Sequence, residues 1–187
     1  MTISNNGLNH LKSYEQFRSL AYDDLQPNTK ITSLSQVKGT LTIGYGHTKN
    51  VKVGQEITEN EALYLLDVDS KEAQNGLKKY TKVPLTQNMY DALTSFIFNV
   101  GVGAYKDSTL LKKLNSKDYV GASNQFGVWI KSKGKVLEGL KKRRDHEKNI
   151  FLNGISVLTY TMPNDFLNEK KNGSFKLWYL LPILLIL

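Results

Sequence analysis

Two carboxylates near the start of the chain are the first residues whose types and spacing suggest chemistry. Glu15 lies at the end of a segment with helical periodicity, and Asp24 follows nine positions later, where that pattern gives way to a turn-rich stretch. Hydrolysis of a glycosidic bond uses such a pair: one carboxyl protonates the leaving oxygen, and the other stays ionised to activate water or to stabilise positive charge. Because the chain has 17 acidic residues, spacing alone does not select this pair.

The elements that must position these carboxylates are a first helix and a small sheet. Apolar residues at helical spacing predict a helix from Gly7 to Leu20, with Glu15 on its last turn. Runs rich in β-branched residues predict strands at 30–34, 40–46 and 49–53, which would form a small antiparallel sheet. Residues 41–48 read LTIGYGHT, in which Gly44 and Gly46 allow turns and close backbone approach.

A long helix follows the sheet. Thr58 and Glu61 have the capping-box spacing, and the apolar pattern after them predicts a helix to Tyr80. Residues 84–152 read as further helices capped by Thr86, Ser108 and Asp118, the last being a basic amphipathic helix at 136–151 that Gly154 closes. The predicted fold class is α+β, with a small antiparallel-sheet lobe and a larger all-helical lobe joined by the long helix. The predicted divisions are 1–57, 58–80, 81–167 and 168–187.

Composition narrows the classes of partner and cofactor. The chain has no cysteine, and its three histidines are far apart with no zinc-binding spacing, so we predict no metal and no cofactor. The formal net charge of +8 suggests an anionic partner, such as nucleic acid, anionic lipid or bacterial cell-wall polymer, although such a charge can serve solubility alone. The basic helix lacks the interleaved arginine and aromatic residues of nucleic-acid sites, so we predict no nucleic-acid partner.

Several ordered motifs resemble the phage-type lysozymes, glycoside hydrolase family 24. Residues 14–24, YEQFRSLAYDD, are similar to the family signature E-G-x-R-x-x-A-Y-x-D, and residues 42–48 to its T-I-G-Y-G-H-T. The similarity continues through later blocks, so that it covers roughly residues 8 to 152. These blocks are residues 91–101 (DALTSFIFNVG), 108–115 (STLLKKLN), 126–129 (FGVW), 134–140 (GKVLEGL) and 143–147 (RRDHE).

The resemblance implies a lysozyme-like fold and a role for each motif residue. Glu15 would be the general acid, Asp24 the second carboxylate and Thr42 the hydroxyl that helps to hold the attacking water. The family is usually described as inverting, which implies carboxyls roughly 6.5 to 9.5 Å apart. Asn99, Arg144 and Tyr45 are the predicted substrate-binding residues.

Two departures from the family pattern bear on these roles. Gln16 occupies the position where the signature has Gly, so the backbone there is expected to need less conformational freedom than glycine provides. Seventeen residues separate Asp24 from Thr42, far more than in compact members, and the inserted 25–39 segment is expected to form an extra hairpin or loop at the cleft rim. Thr42 is preferred over the other threonines because it alone has the T-I-G-Y-G-H context, and Asp23 is the alternative to Asp24.

Other conspicuous residues have mainly structural interpretations. His47 is expected to be structural and to pair with Asp67 or Asp69. Trp129 falls in a helical apolar pattern and is expected in the core rather than beneath a sugar. One of the two adjacent arginines, Arg143 and Arg144, is expected to face the cleft.

The resemblance implies an N-acetylmuramidase that hydrolyses the β-1,4 bond between N-acetylmuramic acid and N-acetylglucosamine in peptidoglycan during host lysis. Its partners would be peptidoglycan glycan strands, and a monomer is expected. Two alternatives stay open: a lytic transglycosylase, which needs one carboxylate and makes a 1,6-anhydro end, and a non-catalytic cationic protein that binds the wall or a membrane.

The two ends of the chain bear on where the protein acts. The polar N-terminus has no signal-like pattern, so we expect accumulation in the bacterial host cytoplasm and release to periplasmic peptidoglycan through a separate pore. Residues 175–187, FKLWYLLPILLIL, are apolar but shorter than the roughly 20 residues of a membrane span. This tail would be an interfacial anchor, a helix packed on the domain or a frameshifted end, and membrane contact is expected through it alone.

Overall fold

A computed structural model describes residues 1–132 and 134–161, with side chains as far as residue 155. The described helices are α1 (Asn5–Lys12), α2 (Glu59–Tyr80), α3 (Gln87–Val100), α4 (Val102–Asp107), α5 (Thr109–Asn115), α6 (Tyr119–Ser123) and α7 (Glu138–Thr161). The described strands are β1 (Arg18–Asp23), β2 (Leu41–Gly44), β3 (Lys131–Ser132) and β4 (Lys135–Val136). All the described elements except the end of α7 lie in the unit Met1–Ile155. A second unit, Ser156–Leu187, lies largely outside the described residues, as does the predicted tail.

The first helix is shorter than predicted and the first strand was missed. α1 ends at Lys12, where the Ser13 hydroxyl donates to the carbonyl of His10, so Glu15 lies in the turn after the helix and not on its last turn. The last three residues of the predicted helix, 18–20, belong to β1. β1 is held from both sides, by β2 and by the chain before α2, where the Ala21 amide donates to the Gln55 carbonyl at 2.9 Å.

β1 and β2 form an antiparallel pair in which Tyr22 lies opposite Thr42 and Asp23 opposite Leu41. This pair confirms the predicted small sheet. The segments 30–34 and 49–53 do not form the predicted strands. The insert contains a 3-10 turn at Leu34–Gln36, and the Thr32 amide donates to the Gln36 side chain rather than to a neighbouring strand. A second hairpin, β3 and β4, was not predicted because two-residue strands leave no period to detect.

The predicted capping box starts the long helix as expected. The Thr58 hydroxyl accepts from the Glu61 amide at 3.3 Å, the Glu61 carboxylate accepts from the Thr58 amide at 2.7 Å, and α2 runs to Tyr80. One face of α2 contributes Ala62 and Leu66 to the core beneath the sheet. None of the described helices is long and apolar enough to cross a bilayer.

The helical part is organised around α3, whose residues Met89 to Ile97 are all buried. Phe96 of this helix packs edge-on against Phe126 and Trp129, with ring centroids 5.2 and 5.5 Å apart. α7 extends beyond the predicted end at Gly154, because this glycine serves packing and not termination. A Cβ atom built on Gly154 would lie 2.4 Å from the Thr86 hydroxyl and 2.7 Å from the Met89 side chain at the start of α3.

Candidate active site

Glu15 lies in a turn that leaves its carboxyl half-buried. Its amide donates to the Lys12 carbonyl at 3.2 Å, which continues the last turn of α1 by one weak bond. The side chain is 28% exposed and lines an open depression of about 480 Å³. The other lining residues are Asn9, Lys12, Ser13, Phe17, Tyr45 and Glu59.

The charge state of Glu15 is set by two opposing influences. Burial raises the pKa of the Glu15 carboxyl above its ordinary value, and the Arg143 guanidinium, whose NH1 lies 3.3 Å from Oε1, pulls it back down. Burial outweighs the ion pair. A carboxyl that keeps its proton closer to neutral pH while remaining reachable from solvent is suited to act as a general acid.

The hairpin brings the other two predicted catalytic residues together. Thr40 links them: its amide donates to Asp24 Oδ1 at 2.7 Å, and its carbonyl accepts from the Asp24 amide and the Thr42 hydroxyl, both at 3.1 Å. Asp24 is exposed, whereas Thr42 is 5% exposed. Gly39 leaves room for this arrangement, because a Cβ atom there would lie 2.0 Å from Asp24 Oδ1.

The structure separates the roles of the two adjacent aspartates. Asp23 is fully buried, and its carboxylate accepts hydrogen bonds from both ends of the inserted segment. The donors are the amides of Leu25 (3.0 Å), Lys38 (2.6 Å) and Gly39 (3.0 Å) and the side chain of Gln26 (2.9 Å). Burial raises the pKa of Asp23, but these hydrogen bonds outweigh it and lower the pKa overall. Asp23 therefore closes the neck of the insert, and Asp24 carries the accessible carboxylate.

The predicted substrate-binding residues have three different environments. Asn99 is exposed at the end of α3. Tyr45 lines the Glu15 depression, but its ring is largely buried and its hydroxyl donates to Glu59 at 2.9 Å. The prediction for Arg144 is wrong as a direct contact, because the side chain is fully buried; its NH2 donates to the Asn99 amide oxygen at 3.2 Å.

Arg143 is the arginine that reaches the site, through its contact with Glu15. The sequence favoured one arginine of the pair for the cleft without showing which one faces it. Helix α7 resolves the choice: adjacent residues point about 100° apart on a helix, so only one of the two can face Glu15. The Arg143 guanidinium also lies over the Tyr14 ring, 5.1 Å from its centroid.

His47 pairs with Asp69, one of the two predicted partners. Its Nδ1 lies 2.9 Å from Asp69 Oδ2, and its Nε2 lies 2.8 Å from the Lys49 carbonyl. These contacts fix the loop after β2 to helix α2. His47 therefore has the predicted structural role.

A sheet-bearing part joined by a long helix to a helical part, with a half-buried glutamate beside a hairpin that carries an exposed aspartate, defines a lysozyme-like protein. The model of the phage lysozyme family matches residues 12–147, and the chain belongs to this family. Membership confirms the family resemblance found in the sequence.

Individual relatives agree with this assignment. The chain is 45% identical over 157 residues to the endolysin of Bacillus phage B103, covering 83% of this chain but only 56% of that protein. It is 38% identical to the endolysin of Salmonella phage P22, covering 81% of this chain and 99% of that protein. A crystal structure of a P22 lysozyme variant superposes with a TM-score of 0.70 at 37% identity, covering 81% of this chain and 99% of that one. The muramidase domain of SpmX from Asticaccaulis excentricus gives 0.69 at 32% identity, covering 81% and 97%.

Proposed function

We propose that the chain is an N-acetylmuramidase that hydrolyses the β-1,4 bond between N-acetylmuramic acid and N-acetylglucosamine in peptidoglycan glycan strands. The observation that carries the proposal is the Glu15 carboxyl, which is half-buried, has a raised pKa and lines an open depression. The names of the relatives, endolysin and muramidase domain, support the substrate class. In a phage setting the enzyme would be made in the host cytoplasm and would reach the wall through a separate pore.

In this mechanism Glu15 donates its proton to the glycosidic oxygen as the bond to the anomeric carbon breaks. Asp24, which is exposed, accepts a proton from the attacking water, and the Thr42 hydroxyl helps to hold that water. Attack by water on the face opposite the leaving group would invert the anomeric configuration. Asn99 and Tyr45 are the proposed contacts with the sugar, and Arg144 acts on the substrate only through Asn99.

Glu15→Gln tests the proposal directly. It keeps the shape of the side chain but removes the transferable proton, so turnover of purified peptidoglycan should fall by at least about 100-fold. Glu72→Gln, the same change at an exposed position of α2, is the matched control and should retain wild-type activity. A Glu15→Gln protein that still clears peptidoglycan at the wild-type rate would refute the assignment.

Product analysis distinguishes hydrolysis from lytic transglycosylation and from binding without catalysis. Mass spectrometry of the muropeptide ends should find a reducing N-acetylmuramic acid, whereas a lytic transglycosylase would leave a 1,6-anhydro end. Proton NMR of the earliest product should find the α anomer if the reaction inverts. Binding to the wall without release of reducing sugar would favour a non-catalytic cationic protein instead.

A further inference from the structure

Behind the ion pair at Glu15 lies a buried carboxylate that the mechanism above does not use. Glu147 is fully buried on α7, and its Oε1 accepts from the Ser95 hydroxyl at 2.7 Å, Arg143 Nε at 3.2 Å and Arg144 NH2 at 3.0 Å. Arg144 Nε lies 2.9 Å from the other oxygen, Oε2. Every one of these neighbours is a donor that favours the ionised carboxylate, whereas burial outweighs them and raises the pKa of Glu147 above its ordinary value.

Arg143 connects this buried carboxylate to the active site. Each of its three nitrogens has a separate partner: Nε donates to Glu147, NH2 donates to the Ser95 carbonyl at 3.4 Å, and NH1 donates to Glu15 at 3.3 Å. A guanidinium is planar and rigid, so fixing two of its nitrogens fixes the direction of the third. The Arg143 side chain is only 5% exposed, which leaves little water to screen its charge.

We propose that Glu147 is a positioning residue for Glu15 that acts through Arg143: its carboxylate offsets the positive charge that Arg143 presents to the active site. This inference rests on the proposed role of Glu15 as general acid. Without the Glu147 charge, Glu15 would be the one carboxylate partner left to Arg143 among the described residues. Arg143 would then favour the ionised form of Glu15 more strongly and weaken it as an acid.

The other charged groups near Glu15 and Glu147 do not offset the positive charge of Arg143. Lys12 and Glu59, which line the depression with Glu15, pair with each other at 2.5 Å. His10 lies behind Arg143, and burial, with the nearby cations, lowers its pKa to about 4, so it is neutral at the working pH. Further titratable groups on the surrounding elements are Tyr14, Asp24, Tyr45, Asp91, Lys142, Arg144, Asp145, His146 and Lys148.

The test is a titration of Glu15 that does not depend on activity. The carboxyl carbon of Glu15 is followed by NMR in protein labelled at glutamate and assigned by its absence in Glu15→Gln. Glu147→Gln keeps the side-chain volume and loses only the charge, so Glu15 should titrate roughly one pH unit lower than in the wild type. The alkaline limb of the kcat/KM profile should move in the same direction, because activity requires protonated Glu15.

Arg143→Gln should move the Glu15 titration in the opposite direction, to higher pH, because it removes the positive charge. Loosened packing would admit water to Glu15 and lower its pKa in either variant, so the rise expected for Arg143→Gln reports the charge of Arg143 and not a structural change. Ser95→Ala removes a hydrogen bond to Glu147 but no charge, and is the matched control whose Glu15 titration should stay near the wild type.

Identical titration of Glu15 in the wild type and in Glu147→Gln would overturn the proposal. If Glu147→Gln does not fold, as judged by circular dichroism, Arg143→Gln is compared with the double variant Arg143→Gln/Glu147→Gln. Glu15 should titrate at lower pH in the double variant, and equal values would again overturn the proposal. A wild-type protein that fails to cleave peptidoglycan while these shifts appear would refute the proposed function and leave the electrostatic link standing.

Discussion

At the scale of the residue, Glu15 carries a conflict between function and stability. Burial raises its pKa, which suits a proton donor, but the same burial makes the ionised carboxylate costly to the fold at neutral pH. Arg143 compensates only in part, since the pKa stays raised despite the contact at 3.3 Å. The burial that keeps Glu15 protonated therefore lowers the stability of the native state at neutral pH.

Glu15→Gln should therefore raise the melting temperature at pH 7 while it removes activity. The sign follows from linkage: a carboxyl whose pKa is higher in the folded state contributes stability below its unfolded pKa and loses it as the pH rises through the folded one. The gain over the wild type should vanish below about pH 4, where both side chains are neutral. Calorimetry across this range checks it, and a melting temperature below the wild type at pH 7 would contradict it.

At the scale of the element, the inserted segment 25–39 is a loop whose two ends are held together. The sequence predicted a hairpin or a loop here, and the structure has the loop. Asp23 accepts hydrogen bonds from residues at both ends of the insert, including an Asx-type bond from the Leu25 amide two residues on. β2 therefore returns beside β1 in the register that places Thr42 opposite Tyr22. The length of the insert does not disturb the site because its two ends are fastened together.

Asp23→Asn should lower the melting temperature and speed proteolysis within residues 25–39. The substitution puts an NH2 group among donors, and it removes a charge that several hydrogen bonds stabilise. Because the pKa of Asp23 is lowered in the fold, its contribution is present above the unfolded pKa and is lost as the pH falls through the folded one. The difference from the wild type should therefore shrink in acid.

Asp24→Asn is the matched control for this variant. It should abolish activity with a smaller loss of stability, since Asp24 is exposed and accepts one described hydrogen bond, from the Thr40 amide. Calorimetry, limited proteolysis and turnover of peptidoglycan distinguish the two aspartates. The reverse pattern, with activity surviving Asp24→Asn, would return Asp23 to consideration as the catalytic carboxylate.

At the scale of the whole molecule, the site joins parts of the chain that are far apart in sequence. Arg143 on α7 and Glu15 in the turn after α1 are 128 positions apart, and both helices lie against the buried α3. The start of α1 is anchored there by Asp91, whose carboxylate accepts from the Ser4 amide at 2.9 Å and from the Ser4 hydroxyl. Packing in the helical part therefore fixes the geometry of an acid that belongs to the N-terminal part.

A separate prediction at this scale concerns membrane attachment through the apolar tail. If residues 175–187 are an interfacial anchor, the full chain should sediment with anionic lipid vesicles, and a chain ending at Gly173 should stay in the supernatant. The net charge of +8 makes the same measurement at high salt the control for purely electrostatic attachment. Identical partitioning of the two proteins would remove the anchor hypothesis.

What the sequence determined by itself is what local patterns encode. The capping box at Thr58 predicted the start of α2, and the motifs around Glu15 were enough to identify the family. The choice of Thr42 over the other threonines stays a prediction. The prediction failed where the first helix was extended to Leu20: β1 begins at Arg18, because β2 and the chain before α2 satisfy the backbone hydrogen bonds of this strand.

Only the tertiary structure decided which side chains face one another across elements. It assigned Asp23 to the loop neck, buried Arg144 and brought Arg143 to Glu15, because burial and pairing depend on elements far apart in sequence. Spacing along α7 puts Arg143, Arg144 and Glu147 near one another. Whether their charges act on a distant carboxyl depends on the packing of α7 against α1 and α3, which no local pattern contains.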